Sequence, residues 1–171
     1  MTAPTCIVVA DACVLINLMH VARLDLCAGL PGIELVVPEH VREEIGRQRA
    51  TLDDAISRGI LRIEAITDLN ACAVFARLTE RLGRGEAACL AIAVEKGWLV
   101  ASDEKGRFRR EAEERLGKER LLGTADLFLK ALCAGLLSVE EADADKAVLE
   151  TLRFKMAFAS FRDLVEPRRL P

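Results

Sequence analysis

Five short runs of β-branched and apolar residues, Cys6 to Ala10, Ile33 to Val37, Leu61 to Ile66, Trp98 to Ala101 and Arg120 to Leu122, alternate with stretches whose apolar residues recur at helical spacing. Parallel strands need long crossover connections, usually helices, so this alternation predicts a parallel α/β sheet buried on both faces. In such sheets ligands collect outside the carboxyl ends of the strands, where loops enter helices. Functional residues are therefore expected just after strands.

Local signals fill in the helices. Pro38 is expected in a first turn and Thr67 as a cap before Asp68 and Leu69. The run from Glu86 to Glu95, apolar almost all round and closed by Gly97, predicts a buried helix. Residues 138 to 163 read as two more helices, with Ser138 and Glu141 as a capping box and Phe154, Phe158, Phe161 and Val165 as one helical stripe. No repeat or linker divides the chain. Its 171 residues, 51% hydrophobic and 30% charged, fit one domain over 1–171 with the C-terminal helices 138–165 packed on it.

Several classes are excluded. The longest apolar runs fall well short of the roughly 20 residues of a membrane span, and Met1 to Thr5 carry no basic segment like that of a secretory signal, so the expected location is cytoplasmic. Six cysteines without a C-x-x-C pair suit reduced, buried thiols better than disulfides or a zinc site. A net charge of -3 provides no global positive field, so any polyanion must be held locally.

Acidic residues interrupt this pattern at informative places. Asp11 ends the apolar run Ile7-Val8-Val9-Ala10, and Asp103 follows Trp98-Leu99-Val100-Ala101-Ser102. A buried carboxylate needs a metal, a cation or several hydrogen bonds, and two at strand ends would converge on one rim. Either alone also serves as a cap or turn residue. At about 100° per residue Glu44 flanks the core next to Val41 and Ile45, whereas Glu43 faces solvent. Glu86 is the only charge entering the buried helix, where the helix dipole alone would explain it.

In order, Asp11-Ala12-Cys13-Val14-Leu15-Ile16-Asn17-Leu18, Val37-Pro38 with Val41 and Glu44, Gly85-Glu86-Ala87 with Ile92-Ala93, and Ser102-Asp103 resemble the signature of the PIN-domain family. Gly83-Arg84-Gly85-Glu86, Asp103-x-Lys105-Gly106-Arg107 and Leu122-Gly123-Thr124 resemble the branch of ribonuclease toxins of toxin-antitoxin pairs, the VapC type. The resemblance implies a three-layer α/β/α sandwich with a central parallel sheet. It also implies an endoribonuclease that hydrolyses RNA phosphodiester bonds with Mg²⁺ or Mn²⁺ held by Asp11, Glu44, Glu86 and Asp103. Asn17 matches a position that supports the first aspartate, and a further downstream position falls to Thr124 or Asp126, the latter equally readable as a charge at a helix start. An antitoxin protein and a homodimer are the partners implied; the apolar C-terminal helical surface offers an interface, while core packing is the favoured reading of the Phe154, Phe158 and Phe161 stripe.

The chemistry agrees with the residue types, since Mg²⁺ and Mn²⁺ prefer oxygen ligands in near-octahedral shells and retain waters. His20 and His40 have no ligand spacing. For phosphate contact Lys105 and Arg107 are the candidates, although Arg107, Arg109 and Arg110 each stand four residues before a glutamate and also read as a self-paired helix face. No aromatic platform for base stacking is evident. A phosphatase with a nucleophilic Asp11 would need an aspartate where Cys13 stands, and a PIN fold that binds or regulates without cleaving is the other alternative.

Overall fold

The computed structural model describes residues 5–165. β1 (Cys6–Ala10) passes through α1 (Ala12–His20) and α2 (Leu26–Gly29) to β2 (Ile33–Pro38). From there α3 (Glu39–Glu44) and α4 (Arg49–Ser57) lead to β3 (Arg62–Glu64), and α5 (Leu69–Leu78) with α6 (Arg84–Lys96) crosses to β4 (Leu99–Ala101). Then α7 (Gly106–Leu116) and a 3₁₀ turn lead to β5 (Leu121–Leu122), followed by α8 (Thr124–Cys133), α9 (Val139–Thr151) and α10 (Arg162–Val165).

The strands form one sheet in the order β3-β2-β1-β4-β5, and every pairing is parallel. Helices on the sheet make a three-layer α/β/α sandwich. The chain moves from β1 outward to β2 and β3, then returns to place β4 on the other side of β1. That reversal opens a crevice at the carboxyl ends of β1 and β4. Ala10 lies opposite Ala101 in the register, so the residues after these two strands leave the sheet side by side.

Packing follows the sequence closely. Val8, Val9 and Ala10 are fully buried, as are Val36, Val37 and Val100. α6 contacts β1, β2 and β4 and buries an unbroken run from Ala87 to Ala93. Gly97 ends it in the left-handed region, with φ 65°. α8 packs on β5 and receives α9 and α10. Among the described residues no helix is long and apolar enough to cross a membrane.

Several local expectations change. Pro38 closes β2 and caps α3 instead of entering its first turn. Asp68, not Thr67, caps α5, because its carboxylate reaches the N–H groups of Asn70 and Ala71 at 2.7 and 3.1 Å. The capping box of Ser138 and Glu141 is present. All six cysteines are free, but Cys6, Cys72 and Cys133 are exposed.

The aromatic stripe is not helical, since α9 ends at Thr151 and α10 starts only at Arg162. Phe161 is instead fully buried, stacked on Phe128 at 5.7 Å and edge-on to Phe158 at 4.8 Å. Its N–H donates to Asp143 at 2.8 Å. Phe161 thus belongs to the core with Phe158 packed against it, the favoured reading of these residues over a dimer interface.

Both edge strands are short, three residues in β3 and two in β5. Arg62 on β3 bonds Glu34 at 2.8 Å and also pairs with Glu64, which takes Lys96 at 2.6 Å. Burial alone would raise the pKa of Glu64, but the bonds from Lys96 and Arg62 hold it below the ordinary value. Lys96 also lies over the Trp98 ring at 4.6 Å.

Phe161→Ala should cost about 3 kcal/mol, the range for removing a buried phenylalanine. Urea unfolding monitored by circular dichroism measures it, and a loss under about 1 kcal/mol would show that the C-terminal segment does not belong to the cooperative core.

Candidate functional site

Asp11 begins the site. Its backbone N–H donates to Ala101 across the β1–β4 pair at 2.9 Å, and its side chain caps α1 by accepting the Ala12 N–H at 2.8 Å. The other carboxylate oxygen, Oδ2, accepts the Ser102 hydroxyl at 2.9 Å and the Cys13 thiol at 3.2 Å. The residue is 3% exposed.

Asp103, two residues beyond β4, is fixed by different partners. Its N–H donates to Cys13 Sγ at 3.2 Å. Its Oδ1 accepts the Thr124 N–H at 2.8 Å, while Oδ2 accepts the Thr124 hydroxyl and the Asn17 amide, the latter at 3.1 Å. Asn17 also donates to the Thr124 hydroxyl at 3.2 Å. Asn17 and Thr124 are both buried, and their side chains bond Asp103. Asp126 is exposed and bonds back to the Gly123 N–H at 2.7 Å, which is the helix-start role foreseen for it.

Two glutamates reach the rim from α3 and α6. Glu44 is exposed, as is Glu43, but only Glu44 crosses to α6, where it accepts the Gly85 N–H at 2.7 Å. A Cβ on Gly85 would lie 2.3 Å from Glu44 Oε2, so the close approach needs glycine there. Glu86 is half-buried and bonds back to the Gly83 N–H at 2.9 Å.

The tightest grouping includes residues that sequence reasoning passed over. Ligand atoms of Asp11, Cys13 and Glu104 lie within 4.8 Å of one another. Ser102 knits the same cluster, its hydroxyl accepting the Glu104 N–H at 3.1 Å. From the sequence, Cys13 groups with the packing thiols and Glu104 has no assigned role. The available signal was position, since both flank the strand-end aspartates.

These acids share one field. Burial raises the pKa of Asp103, partly offset by its bonds to Thr124 and Asn17, and the charge of Asp11 raises it further. Glu104 is raised by desolvation and then by Asp11, Glu86 and Asp103. The buried Cys89 below the rim is pushed well up by burial, with Asp11, Glu44 and Glu86 adding to it. Among the described residues no Lys or Arg nitrogen lies within 4.0 Å of any of these five carboxylates. Repelling, partly buried carboxylates without a cationic side chain suit a divalent cation. Burial and the charge of Asp11 drive the Cys13 thiol far above its ordinary pKa, in keeping with its bond to Asp11. The carboxylate oxygens of this set suit a hard divalent cation.

Basic residues divide between two places. Lys105 lines a cleft of about 520 Å³ together with Asp103 and Glu104. Arg107 donates to the Arg81 carbonyl at 3.0 Å and lines a neighbouring cleft of about 510 Å³ with Arg81, Arg110 and Glu111. Of the self-paired helix face, the Arg109–Glu113 pair forms at 2.7 Å, whereas Glu111 pairs with Arg81 and Arg115.

A family profile described as a PIN domain matches residues 7–165, and the chain belongs to that family. PIN domains are commonly nucleases and typically use a divalent metal. No curated protein and no solved structure gives a significant match to the chain.

A raised carboxyl pKa contributes stability that is present below the ordinary value and is lost as pH rises through the raised one. Glu104→Gln should therefore stabilise the protein in chelator at pH 7.5 by about 0.5 kcal/mol, a modest gain because the side chain is largely exposed. The advantage should vanish near pH 4, where both side chains are neutral. Mn²⁺ should raise the melting temperature of the wild type more than that of the variant. Thermal melts under the three conditions decide; equal shifts with Mn²⁺ would remove Glu104 from the metal-binding set.

Proposed function

We propose that the chain is a Mg²⁺- or Mn²⁺-dependent endoribonuclease, that Asp11, Glu44, Glu86 and Asp103 carry its activity, and that it is the toxin of a toxin-antitoxin pair. The observation behind the reaction is the set of carboxylates gathered at the crevice between β1 and β4 without a cationic side chain to neutralise them. The toxin role rests on the resemblance of the Gly83–Glu86, Asp103–Arg107 and Leu122–Thr124 segments to that branch.

Asp11 and Asp103, with Glu104 beside them, would hold the ion, and Glu44 and Glu86 would complete the acidic rim. When bound there, the ion supplies positive charge against the phosphate and makes a water acidic enough to attack it near neutral pH. The chain supplies position. Asp11 is fixed by three hydrogen bonds, and Asp103 by Thr124 and Asn17. Lys105 and Arg107 would bring positive charge to the phosphates on either side of the cut, each from its own cleft.

Asp11→Asn and Asp103→Asn should each reduce metal-dependent cleavage of RNA at least 100-fold, or about 3 kcal/mol in the barrier. Asparagine still caps a helix, so Asp11→Asn should keep the fold. Cleavage of single-stranded and hairpin RNAs in Mn²⁺, with melting curves of each variant, is the test. A wild type that binds RNA and cuts none of it would favour the non-catalytic reading. Growth arrest on expression, abolished by Asp11→Asn and relieved by the product of an adjacent gene, would be the mark of the toxin.

A further inference from the structure

The cleft beside the acids has a second set of lining residues, from the turn after α9. Leu152, Arg153, Phe154 and Lys155 line it together with Asp103 and Glu104. Among the described residues the side chains of Arg153 and Lys155 make no ion pair or hydrogen bond, although acids line the same cleft. Phe154 is half-buried, yet it does not join the core that takes in Phe158 and Phe161.

The backbone of this turn has three internal counterparts. α9 ends with Phe154 N–H on the Leu149 carbonyl at 3.0 Å and Arg153 N–H on that of Glu150 at 3.1 Å, around Arg153 at φ 70°. The same closure occurs around Ala22, Gly59 and Gly135. Left-handed backbone favours glycine, which fills two of those three positions. Arginine is a costly choice for a cap, and residues held in such conformations gather at functional sites.

We propose that the turn Leu152–Lys155 is a holding arm for single-stranded RNA, in which Phe154 stacks on a base and Arg153 and Lys155 contact the phosphates next to it. The ligand class rests on the nuclease reading above. An aromatic face flanked by two unpaired cations matches an unstacked nucleotide, whereas a duplex keeps its bases stacked and hidden from such a side chain. The arm faces the same cleft as the acids, so the base it holds belongs to a nucleotide near the scissile phosphate.

Fluorescence anisotropy of the full chain with a labelled ten-nucleotide single-stranded RNA, in chelator at low salt, tests the arm without cleavage. Phe154→Ala and Phe154→Leu should both weaken binding about tenfold, because the flat ring and not its bulk is needed. Lys155→Ala should weaken it and lower the salt slope by about 1. Arg153→Gly should weaken binding several-fold while the melting temperature stays the same or rises by about 1–3 °C, opposite to what a purely structural arginine would give. Wild-type binding in Phe154→Leu, loss in Arg153→Gly only in step with lost stability, or no binding by the wild type would each overturn the arm. Phe154-dependent binding by a protein that cuts no RNA with Mg²⁺ or Mn²⁺ would overturn the nuclease reading and leave the arm standing.

Discussion

One carboxylate ties the ends of two neighbouring strands to the start of a helix. Asp11 takes the Ala12 N–H with one oxygen and the Ser102 hydroxyl and Cys13 thiol with the other, while the Cys13 sulfur accepts the Asp103 N–H. The end of β1, the first turn of α1 and the exit of β4 therefore form one unit. Asp103 is anchored on a second such unit, through Asn17 on α1 and Thr124 at the start of α8. Each aspartate keeps its orientation only while the β1–β4 register is intact, so the rim is as rigid as the sheet beneath it.

Several acids elsewhere are neutralised by cations. Glu64 has Lys96 and Arg62, Asp53 has Arg42 and Arg49, and Glu111 has Arg81 and Arg115. The rim carboxylates are the contrast, held by neutral donors that orient them without cancelling charge. Hydrogen bonds to backbone N–H, hydroxyl and amide groups allow like charges to stay close, but they leave an electrostatic demand for a cation.

The parts of this arrangement visible in the sequence were those with local causes. The apolar run Ile7 to Ala10 ending in a charge marked both a strand and Asp11, and the same logic found Asp103. Ser102 and Cys13 acquire their roles through contacts across 91 and 90 residues, which no local spacing encodes. Glu44 was placed by regular helical arithmetic, but α3 is only six residues long and ends there, so the side chain projects from the helix end toward Gly85. Phe154, Phe158, Phe161 and Val165 matched a helical period, and the left-handed residue at Arg153 breaks that helix before the period can apply. Thr67 and Asp68 are both good caps; the carboxylate reaches two N–H groups, and the helix starts accordingly.

The short edges of the sheet also limit pairing with other chains. Exposed strand edges invite pairing with another molecule, and long flat ones lead to aggregation. Here β5 offers two residues of backbone, while β3 offers three and carries Arg62 in ion pairs with Glu34 and Glu64. Adding a strand from a neighbour at β3 would bring its backbone against a charged, already bonded side chain. Such edges offer a neighbour little backbone for strand addition, and what they do offer lies away from the crevice between the central strands β1 and β4.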